Sequence, residues 1–595
     1  MWDFSVPDSV ELSPHDNLIT ALWERERSHP DHPILSYRDA DGSFHNVAYV
    51  EMATTVRRIA AGLIASGIPP KSRIGIFSPT RVEFTLVDYA IWAAGCVSVP
   101  VYETASADQV EWIVKDSDAV AIVCADDALA HVFAAKAGAL GTCPTVVTID
   151  SGGLDALMRK GADVSDELVV ERAATVGQDD LATLIYTSGT TGPPKGCELR
   201  VADLLFTARS ILSVTPGVIH DTAVTLMFLP LAHSFARLAQ VGSVIAGSRI
   251  AYSAGPTHLM DELTIVRPTW LFAVPRIFEK IYNGSVHKAE SAGRGRIFHL
   301  ASRTAEEYSR AAEQGTVGLG LRLRHQAFDR LVYAKLREAL GGHLAYAVSG
   351  GAALGERLCH FFNGAGVTVL EGYGLTETSA GISVNRPEAT RIGTVGQPIP
   401  GVSVRISRDG EILTRGRNLF RGYWNNEPAT REAFDEEGWF HTGDMGHLDA
   451  DGFLSITGRR KELIVTSGGK NIAPLVLEDR VRAHPLVSHC MVVGDGRPFI
   501  AALVTLDADQ QTRWASRGGG RDGPPGVPDR ELRAAVQEGI DQANRAVSRA
   551  EAIRAFVILP TDFSIETGEL TPSLKIRRAV VAERYAGEIA GLYAT

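Results

Sequence analysis

The string YTSGTTGPPKG (Tyr186–Gly196) packs more reactive chemistry into a short span than any other in the chain. Thr187, Ser188, Thr190 and Thr191 carry hydroxyls, and Lys195 carries an ammonium. Gly189, Gly192 and Gly196 let backbone come close to a ligand. Hydroxyls, backbone N–H groups and a cation together suit a polyphosphate. The spacing is not that of a Walker A loop, because Gly196 rather than Ser or Thr follows Lys195. A polar turn after a strand is the competing reading, but the coincidence of these groups weighs against it.

Other polar residues carry little weight alone. Lys575, in GELTPSLKIRR, reads by itself as a surface lysine in a basic run with Arg577 and Arg578. Asp444, in GWFHTGD, reads as a turn aspartate. Asp449, Asp451 and Gly452 form a hairpin turn rather than a calcium loop, since the remaining ligands are missing. Cys96, Cys124, Cys143, Cys197, Cys359 and Cys490 make no C-x-x-C pair, which points to buried free thiols. AVSGG (Ala347–Gly351) lacks the first glycine of a hydrolase nucleophile elbow.

Elements must hold these groups in place. RIGIFSP (Arg73–Pro79), CVSVPV (Cys96–Val101) and AVAIVCA (Ala119–Ala125) read as buried strands, and FTLVDYAIWAAG (Phe84–Gly95) as a helix between two of them. That alternation predicts βαβ units and a parallel sheet. TLIYTS (Thr183–Ser188), AVTLMFLP (Ala223–Pro230) and TWLFAVP (Thr269–Pro275) continue it. Val286–Leu340 interleaves acids and bases and reads as a helical insertion. From about residue 396 to 458 the pattern turns β-rich, with a hairpin signal at Asp409-Gly410. A smaller α+β unit follows to the C-terminus.

At 595 residues the chain can bury several cores without staples. It carries 59 Lys and Arg against 70 Asp and Glu, a net charge of −11, which argues against a nucleic-acid partner. The N-terminus has acids where a signal peptide needs bases, and no apolar run is long enough to span a bilayer. A cytoplasmic location is expected. Nothing in the sequence excludes peripheral contact with a membrane.

Tyr186–Gly196 resembles the signature of the AMP-forming adenylating family, which includes acyl-CoA synthetases, aryl-CoA ligases, luciferases and peptide-synthetase adenylation domains. Further strings resemble that family in the same order: SGGAAL (Ser349–Leu354), EGYGLTET (Glu371–Thr378), GYWNNEPATREAF (Gly422–Phe434), GWFHTGD (Gly438–Asp444), TGRRKELIVTSGGKNIAP (Thr457–Pro474) and GELTPSLKIRR (Gly568–Arg578). The resemblance implies an α/β fold. A large N-terminal domain (1–458) of parallel α/β subdomains plus a small β-barrel would precede a mobile smaller α+β C-terminal domain (459–595). It also implies ATP, Mg²⁺ and CoA, a carboxylic acid substrate, and a monomer or homodimer.

The resemblance assigns roles to residues. Thr187, Ser188, Gly189, Thr190, Thr191 and Lys195 would cradle phosphates, and Gly351, Ala352, Glu371, Gly372, Tyr373 and Gly374 would bind the nucleotide. Tyr373 would stack on adenine. Thr376 would bond the α-phosphate, and Glu377, with Thr187, would hold Mg²⁺. Asp444 and Arg459 would bind ribose. Lys575 would reach the α-phosphate and the acid. Lys461 would be the hinge about which the C-terminal domain turns between half-reactions, bringing the loop with Gly469 in to line a thiol channel. His233, in FLPLAHSFAR, matches a histidine beside the acyl pocket, though a packed histidine is an equal reading. Arg276, in AVPRIFEKIY, either serves that branch of the family or pairs with Glu279.

Two places depart from the family pattern. Arg200 and Val201 stand where Thr-His is usual, and Ala236 stands where many long-chain members have Glu. Both are expected near the acyl or nucleotide pocket. The helical insertion, with VPRIFEKIY before it, resembles bacterial long-chain fatty acyl-CoA synthetases. The expected activity is therefore ligation of a long-chain fatty acid to CoA through an acyl-adenylate. The alternative is a specialised relative using an aryl acid, an amine acceptor or nitrite.

Overall fold

A computed structural model describes residues 2–594 except 40, 138–143, 188–192, 256, 468–469, 509, 513–529, 550 and 572–574. Its largest sheet has six strands in the order Thr145–Thr148, Ala119–Cys124, Arg73–Phe77, Val97–Val101, Leu181–Thr187 and Lys195–Arg200. All neighbours are parallel except the last pair, which is antiparallel. The three strands read from Arg73 to Ala125 lie together here, and the helix Val82–Ala93 is buried along almost its whole length. Its side chains are apolar on nearly every face, so it packs between layers and has no solvent side.

The continuation of the pattern is distributed over other sheets. Val224–Met227 opens a four-stranded sheet with Arg249–Tyr252, Pro33–Arg38 and Phe44–Ala48. Trp270–Ala273 lies parallel to Tyr346–Ser349, which lies parallel to Thr368–Tyr373, and two short strands complete that sheet. Periodicity identifies a strand but not the sheet it joins.

The β-rich segment forms a five-stranded antiparallel sheet with an unforeseen member. Trp2–Ser5 pairs with Val402–Ile406, followed by Glu411–Gly416, Phe440–Leu448 and Leu454–Arg459. No local pattern reports a pairing across some four hundred residues. The helical segment begins at Pro275, ahead of the expected Val286, because proline suits the first turn of a helix. It continues through Gly295–Glu313, Leu319–Phe328, a π-helical turn Asp329–Tyr333, and Ala334–Ala339.

In the C-terminal unit, Val487–Val493, Ile500–Leu506 and Ile553–Ile558 form a small sheet with its own core against helices Pro474–Arg482 and Arg530–Asn544. Five cysteines are free and buried, as expected, and Cys143 lies outside the described residues. Among the described residues no helix is long and apolar enough to cross a membrane.

Candidate active site

A cleft of about 2040 Å³ runs between the sheets of the large body and the C-terminal unit. The antiparallel hairpin Leu181–Thr187/Lys195–Arg200 carries the glycine-rich string at its tip. Ser188, Gly189, Thr190 and Thr191 lie outside the described residues, as does Gly469. The hairpin's two bases are described, and Thr187 and Lys195 both line the cleft.

Asp444 sits in the strand Phe440–Leu448 directly across from Arg459 in the next strand. It is 5% exposed, and both its oxygens are engaged. Arg459 Nε lies 3.2 Å from Oδ1, and the Tyr373 hydroxyl donates to Oδ2 at 2.7 Å. Burial and the Asp444 charge push the Tyr373 phenol well above its usual range, so it stays a neutral donor. An ionised carboxylate has about four lone-pair positions, so capacity remains for further donors.

Thr376 and Glu377 lie on a tight turn that follows the strand Thr368–Tyr373. Ser379 and Ala380 close this turn with φ of +51° and +66°, a left-handed conformation that non-glycine residues rarely adopt. A Cβ at Gly374 would lie 2.3 Å from the Ala380 backbone, so glycine is required there. Thr376 Oγ1 is 3.2 Å from Ser234 Oγ. Glu377 Oε1 accepts from the Tyr423 hydroxyl at 2.8 Å, and the Lys195 ammonium lies 5.0 Å from the centre of the same Tyr423 ring. Tyr423 thus joins the two charged groups. Its place in GYWNN does not by itself mark it as a site residue.

Glu371 turns inward. Its oxygens accept from the Leu354 N–H at 3.1 Å and the Cys359 thiol at 3.3 Å, and burial raises its pKa. It anchors the segment that presents Gly351 and Ala352 to the cleft. Gly372 and Gly374 line the cleft beside it.

His233 precedes the helix Ser234–Ala246 and caps it, its Nδ1 accepting from the Phe235 N–H at 3.1 Å. The proton therefore sits on Nε2. Burial, with the Lys575 charge as a second cause, lowers its pKa to about 4, so the ring is neutral near pH 7. His233 thus caps the helix and is also among the residues that line the cleft. The helix is pinned by Arg237, which is fully buried and bonds Asp88 at 2.7 Å and Ser98 at 2.8 Å. With His233, the apolar side chains Phe235, Leu238, Phe272, Val348, Ile211 and Ile219 line the cleft.

The C-terminal unit contributes Lys575, whose segment is closed by a bond from the Thr571 N–H to the Lys575 carbonyl at 2.8 Å. Its side chain lines the cleft near Arg459, Asp444 and Glu377. Burial, then the Arg459 charge, lowers the ammonium to about 8, against the opposite pull of the acids. Lys461 lies in the turn Arg460–Glu462. Its neighbour Arg460 is tied to Glu411 and Asp409 of the large body, both at 3.0 Å, whereas Lys461 is exposed.

Arg276 does more than pair with its helix neighbour. It pairs with Glu279 at 3.3 Å, and it also reaches across to the C-terminal unit, to Asp507 at 3.3 Å and Ser488 at 3.0 Å. Of the two departures from the family pattern, Ala236 stands between the cleft-lining Phe235 and Leu238, and Arg200 stands at a helix start. Arg200 pairs with buried Asp203 at 2.8 Å at the start of the helix Val201–Val214, and Ala236 is packed inside the helix after His233. Neither is among the residues that line the cleft.

The AMP-binding enzyme family model matches residues 22–424, and the model of the AMP-binding enzyme C-terminal domain matches residues 461–595. The chain is 46% identical, over the full length of both, to the long-chain-fatty-acid–CoA ligase FadD15 of Mycobacterium tuberculosis. It is 31% identical to the human long-chain-fatty-acid–CoA ligase ACSBG1, over 99% of this chain and 91% of that one. The A domain of a carboxylic acid reductase from Segniliparus rugosus, solved with AMP and a co-purified carboxylic acid, superposes with a TM-score of 0.74 at 22% identity, over 97% of this chain and 94% of that one. By these matches and this fold, the chain belongs to the AMP-binding enzyme family.

Proposed function

We propose that this protein joins a long-chain fatty acid to CoA in two steps at one cleft, using ATP. In the first, the carboxylate attacks the α-phosphorus of ATP and pyrophosphate leaves. In the second, the CoA thiol attacks the acyl carbon and AMP leaves. The observation that carries the acid's class is the set of apolar side chains, Phe235, Phe272, Leu238, Ile211 and Ile219, that line the cleft along with His233. An alkyl chain gains by burial against such side chains at roughly 0.8 kcal/mol per CH₂. The full-length identity to a long-chain ligase supports the same class.

In this reading Asp444 and Arg459 fix the ribose, and Tyr373, held by its hydroxyl, offers its ring to the adenine. Lys195, with the hydroxyls of the glycine-rich string, meets the phosphates. The Thr376 hydroxyl and the Lys575 ammonium sit where charge grows on the α-phosphate, and groups already aimed at that point stabilise the transition state most. Glu377, with one oxygen held by Tyr423 and the other unpaired among the described residues, fits a hard cation that takes its remaining ligands from phosphate and water. Mg²⁺ held there with Thr187 would neutralise the leaving pyrophosphate. Lys461 serves as the pivot for the second step, and the loop with Gly469 lines the path of the thiol.

The test is a chain-length series. The protein, ATP, Mg²⁺ and CoA are incubated with saturated acids from C4 to C18, benzoate and nitrite, and thioesters are identified by mass. Acyl-CoA formed best from the longer acids is expected. Turnover of benzoate or nitrite alone would contradict the reading.

A further inference from the structure

The four most exposed large apolar side chains among the described residues lie in one helical hairpin. Leu319 is 75% exposed, Leu323 59%, Leu331 57% and Leu300 56%. Leu319 and Leu323 are one helical turn apart on Leu319–Phe328, Leu331 lies in the π turn that follows, and Leu300 lies on the antiparallel partner Gly295–Glu313. These leucines do not hold the hairpin together. Its inner face does so, through Tyr308 stacked on His325 at 3.8 Å and the Tyr333 hydroxyl on the Ala301 carbonyl at 2.6 Å.

The charge of this hairpin runs against that of the chain. Residues 295–339 hold eight Lys and Arg against five Asp and Glu, a local +3 in a protein of −11. Arg324 and Arg337 are spent on Glu307 and Asp329. Arg296, Arg322, Arg330 and Lys335, each exposed, make no ion pair among the described residues. They flank the leucines in sequence, Arg322 beside Leu323, Arg330 beside Leu331 and Arg296 four residues before Leu300.

We propose that this hairpin is the surface by which the protein docks on an anionic phospholipid bilayer. Exposed leucines flanked by unpaired arginines are the composition of a helix that lies in a lipid interface. The leucines enter the acyl boundary, and the arginines remain at the headgroup phosphates. A second copy of this acidic chain would bring the same cationic face against itself, which like-charge repulsion disfavours. Docking there brings the enzyme to the phase in which long-chain acids reside.

The experiment is sedimentation of the full chain with phosphatidylcholine vesicles, with and without phosphatidylglycerol. Binding to the anionic vesicles that weakens with salt is expected. Leu319→Ser/Leu323→Ser should weaken it at least about tenfold. Arg322→Ala and Arg330→Ala should each weaken it roughly fivefold on anionic vesicles. Each of these positions is exposed, and thioester formation from a short soluble acid should be retained in all variants. No binding by the unaltered chain, or equal binding by the variants, would overturn the proposal. So would self-association that the leucine variant abolishes without any vesicle binding. The vesicles carry no acid, ATP or CoA, so failure here is read separately from failure of the proposed reaction.

Discussion

Lys575 is buried in a region that already holds Arg459, and burial first, then that charge, lowers its pKa to about 8. The charged form is the useful one during adenylation, and it is lost as pH rises through that value. The kcat/KM for adenylation should therefore fall on the alkaline side with a midpoint near 8, and Lys575→Arg should move that limb upward. An unmoved limb would assign it to another group. His233 is neutral from about pH 5 upward and should produce no break near 6.5. Tyr373→Phe removes one of two donors from buried Asp444, and leaving that oxygen unpaired costs roughly 1–3 kcal/mol. The expected outcome is an ATP KM raised about tenfold or more, measured by pyrophosphate release, and an unchanged KM would remove the Tyr373–Asp444 bond from nucleotide binding. Lys575, Asp444 and Thr376 were legible only through the strings around them, because a single Lys, Asp or Thr has no signature of its own. Tyr423 was missed for that reason, since its role depends on Glu377 and Lys195 arriving from two other segments.

The turn from Gly374 to Ala380 shows how much of the site is an element's property. Two left-handed non-glycine residues in succession cost energy, and the surrounding sheet maintains them. Gly374→Ala forces a Cβ to within 2.3 Å of the Ala380 backbone, so the turn must move. Unfolding in denaturant should show a loss of about 1–3 kcal/mol, with adenylation reduced further than stability alone explains. Full activity with unchanged stability would show that the turn relaxes freely. Strands such as Arg73–Phe77 and Ala119–Cys124 were legible because a buried parallel strand is apolar on both faces. The partner of Trp2–Ser5 was not, because edge pairing over long separation leaves no periodic trace. The interior Arg237–Asp88 pair that pins the helix after His233 was equally invisible, since each residue alone reads as solvated.

For the whole molecule, the arrangement is two bodies with Lys575 from the second reaching into the cleft of the first. Arg276 spans them, bonding Asp507 and Ser488 of the C-terminal unit. Arg276 and Asp507 are partly exposed, so their ion pair is worth about 0.5–1 kcal/mol. Arg276→Ala should slow adenylation by about fivefold while leaving thioester formation from preformed acyl-adenylate unchanged or faster. Equal slowing of both steps would exclude a role in domain docking. The most direct measurement separates the two steps in Lys575→Ala. With hexadecanoate and ATP the variant should lose adenylate formation by about 10²–10³-fold. With synthetic hexadecanoyl-adenylate and CoA it should form thioester at nearly the rate of the unaltered enzyme. Equal loss in both assays, or none in the first, would contradict a cleft that adenylates with a lysine supplied by the C-terminal domain.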